Sequence, residues 1–181
     1  GQDRRARGRW PYRRGTGSAV SSRKPVHIDL DVHIAAPVQV VFDAFTQWSE
    51  QGRWMVGTRV EVRRGDGRSV GSELAAWSGA GPAGFWDTMT ITRWESPYRV
   101  DVLHTGSVVR GTGTMEVLAL PGDRSRFVWS EDLALPLGIV GRIGWPVVRP
   151  AFRVGVRRSL QKFGRLVESG VLPASTPSLW A

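Results

Sequence analysis

A stretch near the end of the chain, Pro146 to Glu168 (PVVRPAFRVGVRRSLQKFGRLVE), constrains the fold more than any other. Val148, Phe152, Val156, Leu160, Phe163 and Val167 recur every three or four residues, the period of one helix face. Arg149, Arg153, Arg157, Gln161 and Arg165 recur on another face, which is expected to meet water. A helix of this length spans roughly 35 Å and needs a broad apolar partner. Pro146 suits the start of that helix, and Pro150 sits about one turn in. The preceding LGIVGRIGW (Leu137 to Trp145) reads as a short helix or turn leading into it, and Gly170 stands at the expected C-terminal cap.

The partner is a set of strands. Val26 to Ala35 alternates strictly, with Val26, Ile28, Leu30, Val32 and Ile34 on one face and His27, Asp29, Asp31 and His33 on the other. Pro37 then opens a helix (PVQVVFDAFTQW), and Trp48 to Met55 follows as a short helix or loop. Six further strands are expected at Thr58–Arg64, Ser69–Ser78, Phe85–Glu95, Tyr98–Val109, Thr112–Leu120 and Ser125–Leu135. Turns rich in Gly, Pro and Asp separate them, the signature of antiparallel hairpins. There is no βαβ rhythm and no glycine-rich phosphate loop, which excludes a doubly wound nucleotide fold.

Charge is unevenly placed. The chain of 181 residues has a formal charge of +9. Residues 1–25 hold eight basic side chains against Asp3, or +7, while the other 17 basic and 15 acidic residues leave only +2. Residues 1–24, rich in Arg, Gly and Ser, read as a disordered basic tail. The tail is either solvated or an arm contacting nucleic acid or an anionic membrane. Residues 171–181 read as a second tail. Absence of cysteine removes disulfides and thiolate metal sites, and three histidines are too few for a histidine-rich metal site. No metal or cofactor is called for. No apolar run reaches membrane-span length and no apolar segment follows the basic start, so a cytoplasmic protein is expected.

Three segments resemble a known family. The opening VHIDLDVHIAAPVQVVFDAF resembles its first strand, Ala-Pro step and helix. ITRWESPYRV resembles its Trp-acid-x-Pro turn between two strands, and GTGTMEV followed by SRFVWSEDL resembles its last hairpin. The family is the START-like superfamily, in its polyketide cyclase/dehydrase and lipid-transport branch, and the resemblance covers Val26 to Glu168. It implies an α+β helix-grip fold over residues 25–170, with seven curved antiparallel strands around the C-terminal helix and two short helices after the first strand. It also implies an apolar or aromatic small molecule, lipid or polyketide-like, held between sheet and helix, or alternatively cofactor-independent polyketide cyclase/dehydrase activity. Members use no one catalytic set, so no catalytic residue transfers by motif.

Period-two alternation names the interior. Phe127, Trp129, Glu131 and Leu133 share a face; so do Phe85, Asp87, Met89 and Ile91, and so do Val100, Val102 and His104. Asp87, His104 and Glu131 are therefore candidates for acid–base catalysis, for polar lining, or for structural pairing, Glu131 with an arginine such as Arg110 or Arg142. Trp54, Met89, Val102, Trp129, Phe152 and Val156 are the expected ligand contacts, with Trp54 alternatively a packing residue. Gly155 has no side chain, so the space beside Phe152 is the expected opening, with Phe163 in solid core. Neither Gly-x-Ser-x-Gly nor His-Glu-x-x-His occurs. Oligomeric state has no signal in the sequence.

Overall fold

The computed structural model describes residues 26–80, 82–134 and 138–174, and for residues 80 and 138–149 the backbone alone. The element order is β1 (Val26–Ile34), α1 (Val38–Phe45), a 3-10 helix (Trp48–Arg53), β2 (Thr58–Arg64), β3 (Glu73–Ala80), β4 (Ala83–Glu95), β5 (Arg99–His104), β6 (Arg110–Leu120), β7 (Arg124–Ala134) and α2 (Gly138–Glu168). The strands form one antiparallel sheet in the order β1-β7-β6-β5-β4-β3-β2. This is the helix-grip architecture: a curved seven-stranded sheet with α1 and α2 on one side. No described helix is long and apolar enough to cross a membrane. The basic segment 1–24 and residues 175–181 lie outside the described residues.

Each strand buries the face that its alternation predicts. In β1, Ile28, Leu30 and Ile34 are buried, while His27 and His33 are exposed. Cross-strand partners carry the inner face across the sheet: Ile28 pairs with Glu131, Glu131 with Gly113, Gly113 with Val102, and Val102 with Ile91. A register shift in β4 between Ile91 and Arg93 re-aims the strand beyond it, so that Trp94 packs edge-on against Phe42, with ring centroids 5.3 Å apart. The shift lies past Asp87 and Met89 and leaves their face unchanged.

Boundaries differ from the sequence reading in three places. The strand expected from Ser69 begins only at Glu73, because the Asp66 carboxylate accepts hydrogen bonds from the Arg68 N–H, the Ser69 hydroxyl and the Ser72 hydroxyl and folds that segment into a turn. The strand expected to reach Val109 ends at His104, and residues 106–108 bend away before β6 begins at Arg110. The long helix includes Gly138 and does not wait for Pro146, so residues 138–145 belong to it, and both prolines lie inside it, each removing one backbone hydrogen bond. Packing also continues past the helix: Leu172 is buried, and the Gln47 amide holds the backbone of Ala174 at both its N–H and its C=O, at 2.7 and 2.8 Å.

The interior is solid at one end. Phe163 of α2 is wholly buried, with ring centroids 4.8 Å from Trp54 and 5.2 Å from Phe127. Phe127 stacks on Phe45 at 5.0 Å, and Leu160 and Val167 complete the buried face of the helix. Arg153, Arg157 and Arg165 are exposed, and the side chain of Arg149 lies outside the described residues. Phe152, one helix region earlier, is 38% exposed. Phe163→Ala is therefore expected to cost about 3–5 kcal/mol of stability, as core aromatic truncations do. Phe152→Ala should cost clearly less. Urea denaturation of both variants checks the contrast, and equal losses would show that the two ends of the helix are packed alike.

Candidate functional site

Where the solid core stops, a cavity of about 490 Å³ opens between the sheet and α2. Leu74, Ala76, Met89, Val102, Met115 and Trp129 make its sheet wall. Phe152, Gly155, Val156 and Ser159 make its helix wall, and Gln51, Met55 and Val56 close the side toward the 3-10 helix. A Cβ added at Gly155 would meet nothing within 4 Å, so the helix has open space at this point. Val56 is 74% exposed, and with Phe85 and Phe152 it gives the opening an apolar rim.

Polar groups gather at one place on the sheet wall. Asp87 of β4, His104 of β5 and Glu131 of β7 all line the cavity. His104 is the last residue of its strand, a position that normally sees water, yet it and Asp87 are each only 7% exposed. The Nδ1 of His104 lies 2.7 Å from Oδ2 of Asp87. The second nitrogen of the ring, Nε2, and the second oxygen of Asp87, Oδ1, are buried without a hydrogen-bond partner among the described residues. Glu131 accepts a hydrogen bond from the Trp129 indole N–H at 2.9 Å. Arg110 makes no ion pair with it among the described residues, and the side chain of Arg142 lies outside them.

Burial and charge oppose each other in this cluster. Burial acts most strongly on His104 and by itself would lower its pKa. The hydrogen bond and charge of Asp87, helped by the charge of Glu131, outweigh it and raise the pKa above the ordinary 6.5. For Glu131, burial is again the largest influence and pushes its pKa above 4.5. Positive charge on His104 and the Trp129 N–H pull it down, while the negative charge of Asp87 adds to the rise. The Glu131 carboxyl touches the cavity, so it is only half-buried geometrically, but the walls around it are mostly apolar protein. Among the described residues no group of three or more His, Cys, Asp or Glu is placed to hold a metal ion.

The fold thus brings Asp87, His104, Glu131, Met89, Val102, Trp129, Phe152 and Val156 to one cavity. It does not bring Trp54 there: that ring is 1% exposed and fills the solid core between Trp129 and Phe163. Sequence reasoning passed over Gly113, Met115, Leu74 and Ala76, although the same alternation that placed Glu131 runs through their strands. Ser159, seven residues after Phe152, lies on the same face of α2 and could have been found by its spacing, whereas Gln51 follows no such pattern.

A curved sheet gripping a long helix, with a lined cavity between them, defines the START-like superfamily. Residues 25–168 match the family described as polyketide cyclase / dehydrase and lipid transport, and the chain belongs to that family. None of the curated proteins compared with the chain matches it. Solved structures share the fold at low identity. A Thermus thermophilus protein is 15% identical with a TM-score of 0.68, covering 80% of this chain and 99% of its own. The Zhui aromatase/cyclase from a Streptomyces species (strain R1128) is 17% identical with a TM-score of 0.62, covering 83% and 98%. A START superfamily protein from Mycobacterium smegmatis is 12% identical with a TM-score of 0.57, covering 80% and 96%.

The raised pKa values have a thermodynamic consequence. Folded protein keeps protons on Glu131 and His104 that the unfolded chain releases at lower pH, so both groups make stability fall as pH rises. The fall begins near the unfolded values, 4.5 for Glu131 and 6.5 for His104, and ends once pH passes each folded value. Glu131→Gln should remove the lower part of the slope, so the variant gains on wild type in urea melts as pH is raised from about 5 to about 7. A stability difference independent of pH would show that Glu131 is ionised in the folded state throughout.

Proposed function

We propose that the protein binds an apolar or aromatic small molecule, lipid- or polyketide-like, in the cavity between the sheet and α2. The observation that carries this reading is the cavity of about 490 Å³, with walls mainly of aliphatic and aromatic side chains, in a region where the helix could have packed as solid core. Pockets of this size and lining bury most of a small ligand and use a few polar groups to orient it. Protein purified under native conditions should release such a compound on solvent extraction, detected by mass spectrometry. Protein that releases nothing and binds no aromatic probe would remove the reading.

The Asp87–His104 pair favours a second reading, cofactor-independent chemistry of the cyclase/dehydrase type. A passive apolar container gains nothing from a buried ion pair, which is costly to desolvate. In its neutral form, with Nδ1–H donated to Asp87, His104 would offer the lone pair of Nε2 as a base. Glu131, whose pKa burial raises, is the group suited to supply the complementary acid. In an enolisation, Nε2 takes the proton from the carbon beside a carbonyl while the Glu131 proton passes to the carbonyl oxygen. In a dehydration, the same base takes the α-proton and the Glu131 proton leaves with the β-hydroxyl as water. The test uses 2-tetralone in D2O, following exchange of its α-protons by NMR. Wild type should accelerate the exchange, and His104→Gln and Glu131→Gln should each lose about 10²-fold or more of that acceleration while remaining folded. Equal exchange in all three proteins would remove these residues as an acid–base pair.

A further inference from the structure

Two glutamines of one short segment behave in opposite ways. Gln47 immediately precedes the 3-10 helix and Gln51 lies within it. The carboxamide of Gln47 is fully used: its Nε2 donates to the Ala174 carbonyl and its Oε1 accepts from the Ala174 N–H. Gln51 is buried more deeply, at 4% exposed, yet neither end of its carboxamide has a hydrogen-bond partner among the described residues. The backbone around it is held firmly. The Gln51 carbonyl accepts from the N–H groups of Trp54 and Met55 at 3.1 and 2.8 Å, and the Trp48 indole ties the same helix to the Gly67 carbonyl at 2.7 Å. The uncommitted polarity is therefore that of the side chain. A buried amide without a partner is costly and rare, and an apolar side chain of the same size would fill the place at lower cost. The buried side-chain atoms that protein seals off without a partner belong to Trp54, Asp87 and His104. The Gln51 carboxamide is not among them, and the residue borders the cavity.

We infer that Gln51 orients the ligand of the cavity, and that this ligand carries a neutral hydrogen-bonding head, an amide, ketone or hydroxyl, on an apolar body. The inference rests on the ligand-binding reading of the cavity and narrows it to a chemical class. A carboxamide offers N–H donors and a carbonyl acceptor side by side, so it satisfies a neutral head of any of these kinds, whereas a hydrocarbon leaves it unpaired. Charge decides against an anionic head. The wall holds the carboxyl groups of Asp87 and Glu131 and, among the described residues, no Lys or Arg. A carboxylate or phosphate would lose its water there without gaining a counter-ion. Asp87 and Glu131 already have His104 and the Trp129 indole as partners, which leaves Gln51 as the side chain whose hydrogen bonds wait for the ligand. Gln51 is in this reading a specificity determinant, set on the wall opposite the sheet.

The test compares three probes of nearly equal shape, 2-naphthamide, 2-naphthoate and 2-isopropylnaphthalene, by fluorescence titration of wild type and Gln51→Met at pH 7. The substitution keeps the length of the side chain and removes its amide. Wild type should bind 2-naphthamide about tenfold or more tightly than its anionic counterpart 2-naphthoate. Gln51→Met should weaken 2-naphthamide relative to 2-isopropylnaphthalene by about tenfold, the worth of roughly one hydrogen bond. Because the amide has no partner in the protein, Gln51→Met should also unfold at the same urea concentration as wild type or a higher one. An equal effect of the substitution on 2-naphthamide and on the hydrocarbon would overturn the role of Gln51 and leave the cavity reading intact. Naphthoate bound as tightly as naphthamide would overturn the neutral head. A Gln51→Met protein that is destabilised or fails to fold would show that the amide serves the fold, and would overturn the inference as well. Failure of all three probes to bind wild type would overturn the cavity reading together with it.

Discussion

The contact between Phe163 and the rings of Trp54 and Phe127 holds α2 against the sheet, and the cavity exists because that contact is confined to one end. A helix of 31 residues, about 46 Å long, can be fixed by a few wholly buried side chains over its last turns. Leu160, Phe163 and Val167 do this, backed by Leu172 and the Gln47 clamp on Ala174. The helix is then positioned without contacts at Gly155, and the empty space beside it costs little because no neighbour was ever closely packed there. Had Phe152 been as buried as Phe163, the sheet would have closed on it and the polar cluster would have had nothing to face.

The same confinement explains how Asp87, His104 and Glu131 can be tolerated. Charged groups in an apolar wall are expensive unless they satisfy one another. His104 and Asp87 do so at 2.7 Å, and the Trp129 indole supports Glu131 from its own strand. The second oxygen of Asp87 and the second nitrogen of His104 stay buried without a partner among the described residues, so part of that cost is left standing. Stability and the readiness to bind are in this sense drawn from opposite ends of the helix.

Much of this was legible in the sequence, and the reasons are particular. Alternation anchored on Phe127 and Trp129 puts Glu131 inside; Met89 and Ile91 do the same for Asp87, and Val100 and Val102 for His104. What alternation cannot express is pairing. The Asp87–His104 contact joins neighbouring strands at residues out of direct register, since Met89 is the cross-strand partner of His104, and nothing local in either strand marks that meeting. Trp54 shows the limit from the other side. Whether it lined the cavity or filled the core depended on Phe163, more than a hundred residues later, and long-range packing leaves no local pattern. The helix boundary was misplaced because Pro146, Pro150 and three glycines argue locally for a break, whereas helix propensity is a weak constraint beside tertiary context.

The separation of packed end from open end also bears on how such a protein changes over generations. A substitution at Met115, Ala76 or Val156 alters a wall that borders space, so fewer neighbours must readjust than around Phe127 or Phe163. Cavity shape can then drift with small penalties while the rings at the far end keep the architecture intact.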